Sequence, residues 1–150
     1  MSPESTSHQE AVSVSPLIAG VFTDLHSNAA SRNLMLINNT FQHIHVPISE
    51  TLINLMVRNL VHNAIRFSSN GRVEVVCELD SRWLYINVKD NGIGMEEHQV
   101  NGIMTAEEAA NGHGLMAVHN SLQQLQGFMT INSIPCKGTL VKLHIPVAAA

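Results

Sequence analysis

Residues 49–67 read SETLINLMVRNLVHNAIRF and carry the most regular hydrophobic pattern of the chain. Their apolar side chains recur at intervals of three and four residues, which is the spacing of one face of an α-helix. Ser49 is a suitable N-cap because its hydroxyl can accept a hydrogen bond from a backbone N–H of the first turn. We therefore predict a helix over 49–67 with a wide apolar stripe that packs against a sheet. The stripe consists of Leu52, Ile53, Met56, Val57, Leu60, Val61, Ala64 and Ile65.

Three polar residues of this predicted helix, Asn59, Asn63 and Arg66, stand at positions i, i+4 and i+7. The spacing places them on one face, opposite the apolar stripe. Asparagine is a mediocre residue for a helix interior, because its amide competes for backbone hydrogen bonds. The spacing alone leaves two interpretations open, a solvated helix face or an edge that faces a ligand.

Outward from this helix, the periodicity of apolar residues predicts further helices and strands. The order of these helices and strands along the chain favours an α/β fold, specifically a two-layer α/β sandwich in which helices cover one face of a mixed, mostly antiparallel sheet. The predicted elements are helix 16–31, strands 34–38 and 41–46 around the turn 38–40, helix 49–67, strands 72–79 and 83–90, a long lid-like loop over 91–114, helix 115–126 with Gly127 as its C-cap, and the hairpin strands 128–134 and 139–145.

The 150 residues correspond to one domain. Residues 1–15 are expected to form a disordered lead-in, because the first ten are polar and have no basic segment followed by an apolar core. Residues 16–147 are then the domain, and 148–150 a tail.

The composition excludes some classes of function. Charged residues make up 13% of the chain, only eight residues are basic, and the formal net charge is −4, which argues against a nucleic-acid partner. No apolar run reaches the length needed to span a membrane, so no direct membrane contact is expected. Cys77 and Cys136 have no metal-type or disulfide-type spacing, which fits a reducing compartment such as the cytoplasm.

Two glycine-containing motifs follow the polar helix. The stretch 90–94, Asp-Asn-Gly-Ile-Gly, comes directly after a strand, where glycine allows a sharp turn and a close approach to a ligand. The stretch 112–115, Gly-His-Gly-Leu, opens a helix whose N-terminal N–H groups suit a phosphate. Each motif alone is also compatible with an ordinary turn or with a loop that enters a helix.

Together and in this order, the motifs resemble the GHKL ATP-binding superfamily (HATPase_c). The chain is most similar to the catalytic and ATP-binding domain of bacterial sensor histidine kinases. The resemblance covers roughly residues 27–146. The residues that carry it are 59–67 (the N box), 90–94 (the G1 box), 112–115 (the G2 box) and Gly138-Thr139.

The resemblance implies a role for each matching position, with ATP and Mg²⁺ as the cofactors. Asn63 matches the residue that holds Mg²⁺, Asn59 lies near the nucleotide, and Arg66 matches a basic residue that reaches the phosphates; these three are the implied catalytic residues. Asp90 matches the carboxylate that binds the adenine amino group. The remaining implied nucleotide-binding residues are Phe67 stacking on adenine, Thr139 supporting Asp90, Gly92, Ile93 and Gly94 shaping the pocket, and Gly112, His113, Gly114 and Leu115 on the phosphate side.

The implied function is transfer of the ATP γ-phosphate to a histidine on a separate helical dimerisation domain, and indirectly to a response regulator. Superfamily members that hydrolyse ATP carry a glutamate at the position of Asn59, and asparagine cannot act as the base for water. Two alternatives stay open at this stage: a degenerate GHKL domain that serves as a regulatory binding module, and a serine kinase of the anti-sigma type.

No Lys or Arg lies between Asp90 and Cys136. Within the resemblance, neutralisation of the triphosphate would therefore fall to Mg²⁺ on Asn63, to Arg66, to the helix N-terminus after Gly114 and to His113. We expect modest affinity and strict metal dependence.

Overall fold

The computed structural model describes residues 11–40, 44–92 and 115–147. A five-stranded sheet carries three helices on one face, and a separate two-stranded ribbon lies beside it. This architecture confirms the predicted two-layer α/β sandwich. The elements are β1 (Val12–Ser13), α1 (Val14–Ser31), β2 (Leu34–Asn38), β3 (His45–Val46), α2 (Glu50–Arg66), β4 (Gly71–Leu79), β5 (Trp83–Asp90), α3 (Leu115–Leu125), β6 (Phe128–Ile134) and β7 (Gly138–Pro146).

The strand order in the main sheet is β2-β4-β5-β7-β6. Strand β2 pairs with β4 in parallel, and the other three pairs are antiparallel. The parallel pair is joined through α2, as parallel strands need a crossover connection. The sheet is therefore mixed but mostly antiparallel, as predicted.

Helix α2 packs its apolar stripe against the sheet, and Ser49 caps it by accepting a hydrogen bond from Leu52 N at 3.3 Å. Every predicted stripe residue except Leu52, which is partly exposed, is buried. On β5 the buried residues Leu84, Ile86 and Val88 alternate with Tyr85, Asn87 and Lys89, so the strand presents one face to the core.

The predicted strand 34–38 is confirmed, whereas the predicted strand 41–46 is found only in its last two residues. Only His45–Val46 forms a strand, and it pairs with β1; residues 41–43 lie outside the described residues. After β2 the chain continues along β4, because Asn39 N donates to Val75 O at 2.9 Å and Cys77 N donates to Thr40 Oγ1 at 3.1 Å. These two bonds extend the parallel pairing where a reversal was expected.

The folded domain begins before Pro16. Residues 12–13 form β1, α1 starts at Val14, and the Val14 side chain is fully buried in the core. Residues 12–15 therefore do not belong to a disordered lead-in. Within the described residues, no helix is both long and apolar enough to cross a membrane.

Gly127 does not supply the left-handed residue at the end of α3. The helix ends at Leu125, and Gln126 takes the left-handed conformation with φ of 59°. Gly127 N then donates to Leu122 O at 2.8 Å, which closes the C-terminal turn. A side chain on Gly127 would place its Cβ 2.5 Å from His144 O, so this glycine serves a close approach of two backbones.

Candidate active site

The polar face of α2 ends beside the turn that follows β5. Asn59 and Asn63 are partly buried, and Arg66 is exposed in the last turn. The Asn59 amide donates from Nδ2 to Leu55 O at 2.9 Å, one turn earlier in the same helix. The Arg66 guanidinium carbon lies 5.4 Å from the centre of the Phe67 ring, and the Phe67 side chain is 40% exposed. The structure thus places Asn59, Asn63 and Arg66 on one accessible edge of the helix.

Asp90 is the last residue of β5 and lies directly opposite Thr139 in the register of β5 and β7. Its Oδ1 accepts a hydrogen bond from Gly92 N at 2.9 Å, and the Thr139 backbone N–H also donates to the carboxylate. The Thr139 hydroxyl lies 2.8 Å from Ser133 Oγ on the neighbouring strand β6. The predicted support of Asp90 by Thr139 is therefore a backbone contact.

Gly92 brings the turn after β5 against the end of α2. A Cβ on Gly92 would overlap the Phe67 carbonyl oxygen, and it would lie 2.5 Å from Ser68 Oγ and 3.1 Å from Asp90 Oδ1. Glycine is needed here because no side chain fits between these atoms. The close approach brings Phe67 and Ser68, at the end of α2, next to Asp90 at the end of β5.

Gly138 brings the last hairpin against the same strand end. It has a φ of 123°, and its missing Cβ would overlap Asp90 O and lie 2.8 Å from Asn91 Cα. The neighbouring Asn91 side chain accepts a hydrogen bond from Arg72 N at 2.9 Å, which ties the turn to the start of β4. The backbone around Asp90 is thus held from two sides.

Ser68 is a site residue that the sequence analysis missed. Its side chain is 2% exposed, and its carbonyl oxygen accepts a hydrogen bond from Arg32 Nε at 2.8 Å. The hydroxyl lies near enough to the Asp90 carboxylate to lower its pKa, yet no described group meets hydrogen-bond geometry with Ser68 Oγ. The sequence signal was weak, since a serine after a helix has an ordinary explanation in turn formation.

The ionisation of Asp90 is shifted by its surroundings. Burial raises the pKa of Asp90 above its ordinary value of 3.8, because a charged carboxylate loses solvation in the pocket. The N–H groups of Gly92 and Thr139 and the Ser68 hydroxyl act in the opposite direction and lower this pKa. Burial has the larger effect, so the surrounding donors do not fully compensate the charge of the ionised carboxylate.

The raised pKa of Asp90 predicts how the stability of the domain depends on pH. An acid with a higher pKa in the folded than in the unfolded state stabilises the fold at low pH and loses that contribution as pH rises through the folded pKa. Asp90→Asn cannot ionise, so we expect it to gain stability relative to the unmutated protein between about pH 4 and about pH 7. Urea unfolding of both proteins at the two pH values measures this change. A difference in unfolding free energy that is independent of pH would contradict the expectation.

The remaining predicted site residues are placed only in part. Ile93, Gly94, Gly112, His113 and Gly114 lie outside the described residues. Leu115 is the first residue of α3 and is 4% exposed, so its side chain packs in the core. In the described ranges 11–40, 44–92 and 115–147, no three His, Cys, Asp or Glu side chains form a metal cluster, and Asn63 remains the predicted metal ligand.

The fold is an α/β sandwich in which the polar face of α2 lies beside the Asp90 carboxylate at the end of β5. Together, this fold and this site define a class of protein. Residues 48–149 match the family described as histidine kinase-, DNA gyrase B-, and HSP90-like ATPases, and the chain belongs to this family. The resemblance to the GHKL catalytic domain of sensor histidine kinases is thereby confirmed.

Known proteins with similar sequences include a sensor kinase/phosphatase, a sporulation kinase and a sensor protein. The autoinducer 2 sensor kinase/phosphatase LuxQ of Vibrio vulnificus is 33% identical over 111 residues, which cover 63% of this chain and 13% of LuxQ. Sporulation kinase A of Bacillus subtilis is 27% identical over 151 residues, covering 96% of this chain and 25% of the kinase. The sensor protein DegM of a Bacillus species is 31% identical over 125 residues, covering 79% of this chain and 33% of DegM. The chain thus spans from 13% to 33% of the length of these relatives.

Solved structures of histidine kinases share the fold. The catalytic domain of histidine kinase ThkA superposes with a TM-score of 0.81 at 20% identity, covering 91% of this chain and 94% of that one. The Acinetobacter baumannii histidine kinase AdeS gives a TM-score of 0.79 at 18% identity, covering 93% of this chain and 68% of that one. At these identities the similarity establishes the fold.

Proposed function

We propose that this chain binds ATP with Mg²⁺ and transfers the γ-phosphoryl group to a histidine on a separate helical dimerisation domain. The phosphoryl group then passes to an aspartate of a response regulator, and the reaction takes place in the cytoplasm. The observation that carries the proposal is the partly buried carboxylate of Asp90, which the close approach of Gly92 to Ser68 holds beside the end of α2. Membership of the ATPase family and the similarity to sensor kinases support it.

The chemistry of the side chains around Asp90 suits an adenine ring. Asp90 offers carboxylate oxygens to the exocyclic amino group, the only donor on the Watson–Crick edge of adenine. Gly92 lets the turn after β5 lie close to Ser68, and in the proposal the Phe67 ring, which is 40% exposed, offers an aromatic face for stacking. In the proposal, Thr139, Ile93 and Gly94 complete the walls around the base.

The polar face of α2 fits the phosphate end of the ligand. Asn63 would hold Mg²⁺ through its carboxamide oxygen, a hard ligand that suits this cation. When bound, Mg²⁺ neutralises negative charge on the phosphates. Arg66 stands almost one turn after Asn63 and supplies a positive charge of the chain itself. We assign the remaining phosphate contacts to Gly112, His113, Gly114 and Leu115.

Asn59 favours transfer to histidine over hydrolysis. Its carboxamide cannot take a proton from water, and its amide is already engaged with Leu55 O. In the transfer, the bond between the γ-phosphorus and the bridging oxygen breaks, ADP leaves, and an imidazole nitrogen forms the new bond to phosphorus. Catalysis of this type depends mainly on positioning and charge neutralisation, which the residues of α2 and the pocket supply.

Titration with Mg-ATP followed by a transfer assay tests the proposal. The chain is mixed with a helical hairpin domain from a sensor kinase and with ATP labelled at the γ-phosphate. We expect an acid-labile label on the hairpin, because phosphohistidine is labile in acid. An acid-stable label would indicate a serine kinase, and no binding at millimolar Mg-ATP would refute the proposal.

Replacing Asn63 tests the metal role within the same assay. We expect Asn63→Ala to lower the affinity for Mg-ATP by about 10-fold, on the scale of one lost contact to a charged group. Affinity for ADP in the presence of EDTA should stay unchanged, because that complex makes no use of the metal. His62→Ala, an exposed neighbour on the same helix, is the matched control and should bind normally. Equal losses with and without Mg²⁺ would contradict a metal role for Asn63.

A further inference from the structure

The Ser68 hydroxyl is buried without a hydrogen-bond partner among the described residues. Buried polar groups are almost always paired, and an unpaired one needs an explanation. Ser68 Oγ and Asp90 Oδ1 both pack against Gly92, at 2.5 Å and 3.1 Å from the position that its Cβ would occupy. The unpaired hydroxyl therefore lies next to the proposed adenine-binding carboxylate.

Hydrogen bonds to the segment at the end of α1 hold the backbone around Ser68. Arg32 Nε donates to Ser68 O at 2.8 Å, and Asn70 N donates to Arg32 O at 3.0 Å. Asn33 Nδ2 adds a bond to Asn70 Oδ1 at 3.0 Å. These three bonds connect the end of α1 to the segment that follows α2. They fix the Ser68 main chain. The hydroxyl can therefore change its position only by rotation of the side chain.

A carboxylate has about four lone-pair sites for hydrogen bonds. In Asp90 the N–H groups of Gly92 and Thr139 take two of them. An adenine amino group would take a third, which leaves one site for the neighbouring hydroxyl. A bond from Ser68 would keep the carboxylate ionised and fix the direction of the oxygen that faces the ligand.

We propose that Ser68 is a positioning residue for adenine recognition, held by Arg32 and donating its hydroxyl proton to Asp90 when a 6-aminopurine occupies the pocket. This inference rests on the proposed function, since it assumes that Asp90 binds the amino group. It assigns Ser68 and Arg32 to the discrimination between purines. A purine without the amino group gains nothing from an oriented carboxylate.

Two ligands separate this role from a merely structural one. Isothermal titration of the full chain is carried out with Mg-ADP and with the Mg complex of purine riboside 5′-diphosphate, which lacks the 6-amino group. We expect Ser68→Ala to weaken ADP binding by about 10-fold and binding of the second ligand by less than about 2-fold. Ser68→Cys keeps the volume of the side chain but is a weak donor, so it should show the same selective loss.

Arginine variants test the backbone contact. Arg32→Gln should weaken ADP binding by about 3-fold and leave the second ligand unaffected, because the Ser68 carbonyl loses its charged donor. Arg58→Gln is the matched control, since Arg58 joins α1 to α2 through Asp24 at 2.5 Å and removal of its charge leaves Ser68 untouched. No loss in the Ser68 variants, or equal losses for both ligands, would overturn the inference while leaving the proposed function intact. Failure of the unmutated chain to bind either ligand would overturn both.

Discussion

Asp90→Asn is expected to lower the affinity of the chain for Mg-ADP by about 100-fold, which corresponds to about 2.7 kcal/mol. The Gly92 N–H already donates to Oδ1 of this side chain, so the single oxygen of an asparagine would keep that position. Its NH₂ group would then face the amino group of adenine. Both groups are hydrogen-bond donors, so they would repel each other and form no hydrogen bond. The loss therefore includes both a charged hydrogen bond and a new repulsion. Isothermal titration measures it directly.

Asp24→Asn is the control for the change in charge. Asp24 forms an exposed ion pair with Arg58 away from the pocket, and its replacement should change ADP affinity by less than about 2-fold. Asp90→Asn should at the same time retain the fold, because it relieves an under-compensated buried charge at neutral pH. A variant that folds and binds ADP like the unmutated protein would remove Asp90 from the site.

Gly138→Ala is expected to destabilise the domain by about 3 kcal/mol or more. The residue has a φ of 123°, and its Cβ would overlap Asp90 O and approach Asn91 Cα at 2.8 Å. Both obstacles are backbone atoms, which cannot swing aside as a flexible side chain would. At about 2–4 °C per kcal/mol for a chain of this size, the melting temperature should fall by about 6–12 °C. Thermal unfolding followed by circular dichroism measures the shift.

Gly20→Ala is the opposite case and serves as the matched control. Gly20 lies within α1, and nothing is found within 4 Å of the position that its Cβ would occupy. The same substitution should therefore raise stability, by about 0.5–1 kcal/mol, because alanine favours the helix interior. If both variants shifted the melting temperature in the same direction, the contact at Gly138 would not explain its effect.

Local patterns in the sequence predicted much of this molecule. The stripe of α2, its Ser49 cap and the alternation of Leu84, Ile86 and Val88 are all encoded within short windows, and the structure has all three. The proximity of Asp90 and Thr139 came from the family resemblance, and the register of β5 and β7 places the two residues opposite each other.

The features that sequence reasoning missed depend on contacts between distant residues. Pairing of β2 with β4, and of β1 with β3, joins residues that are more than 30 positions apart, so no local pattern predicts it. Gln126 adopts the left-handed conformation, whereas the neighbouring Gly127 lies close to the backbone of His144. Ser68 becomes a pocket residue only through Gly92 and Arg32, which lie 24 and 36 positions away in the sequence.

The contact of Arg32 with Ser68 and the pairing of Asp90 with Thr139 have a consequence for the folding of the chain. One contact reaches back to the first helix and the other reaches forward to the last strand, so the pocket draws on both ends of the domain. Contacts between residues far apart in sequence form only after their loop-closure entropy has been overcome. We therefore expect the proposed nucleotide site to form late in folding, after both the first helix and the last hairpin have assembled.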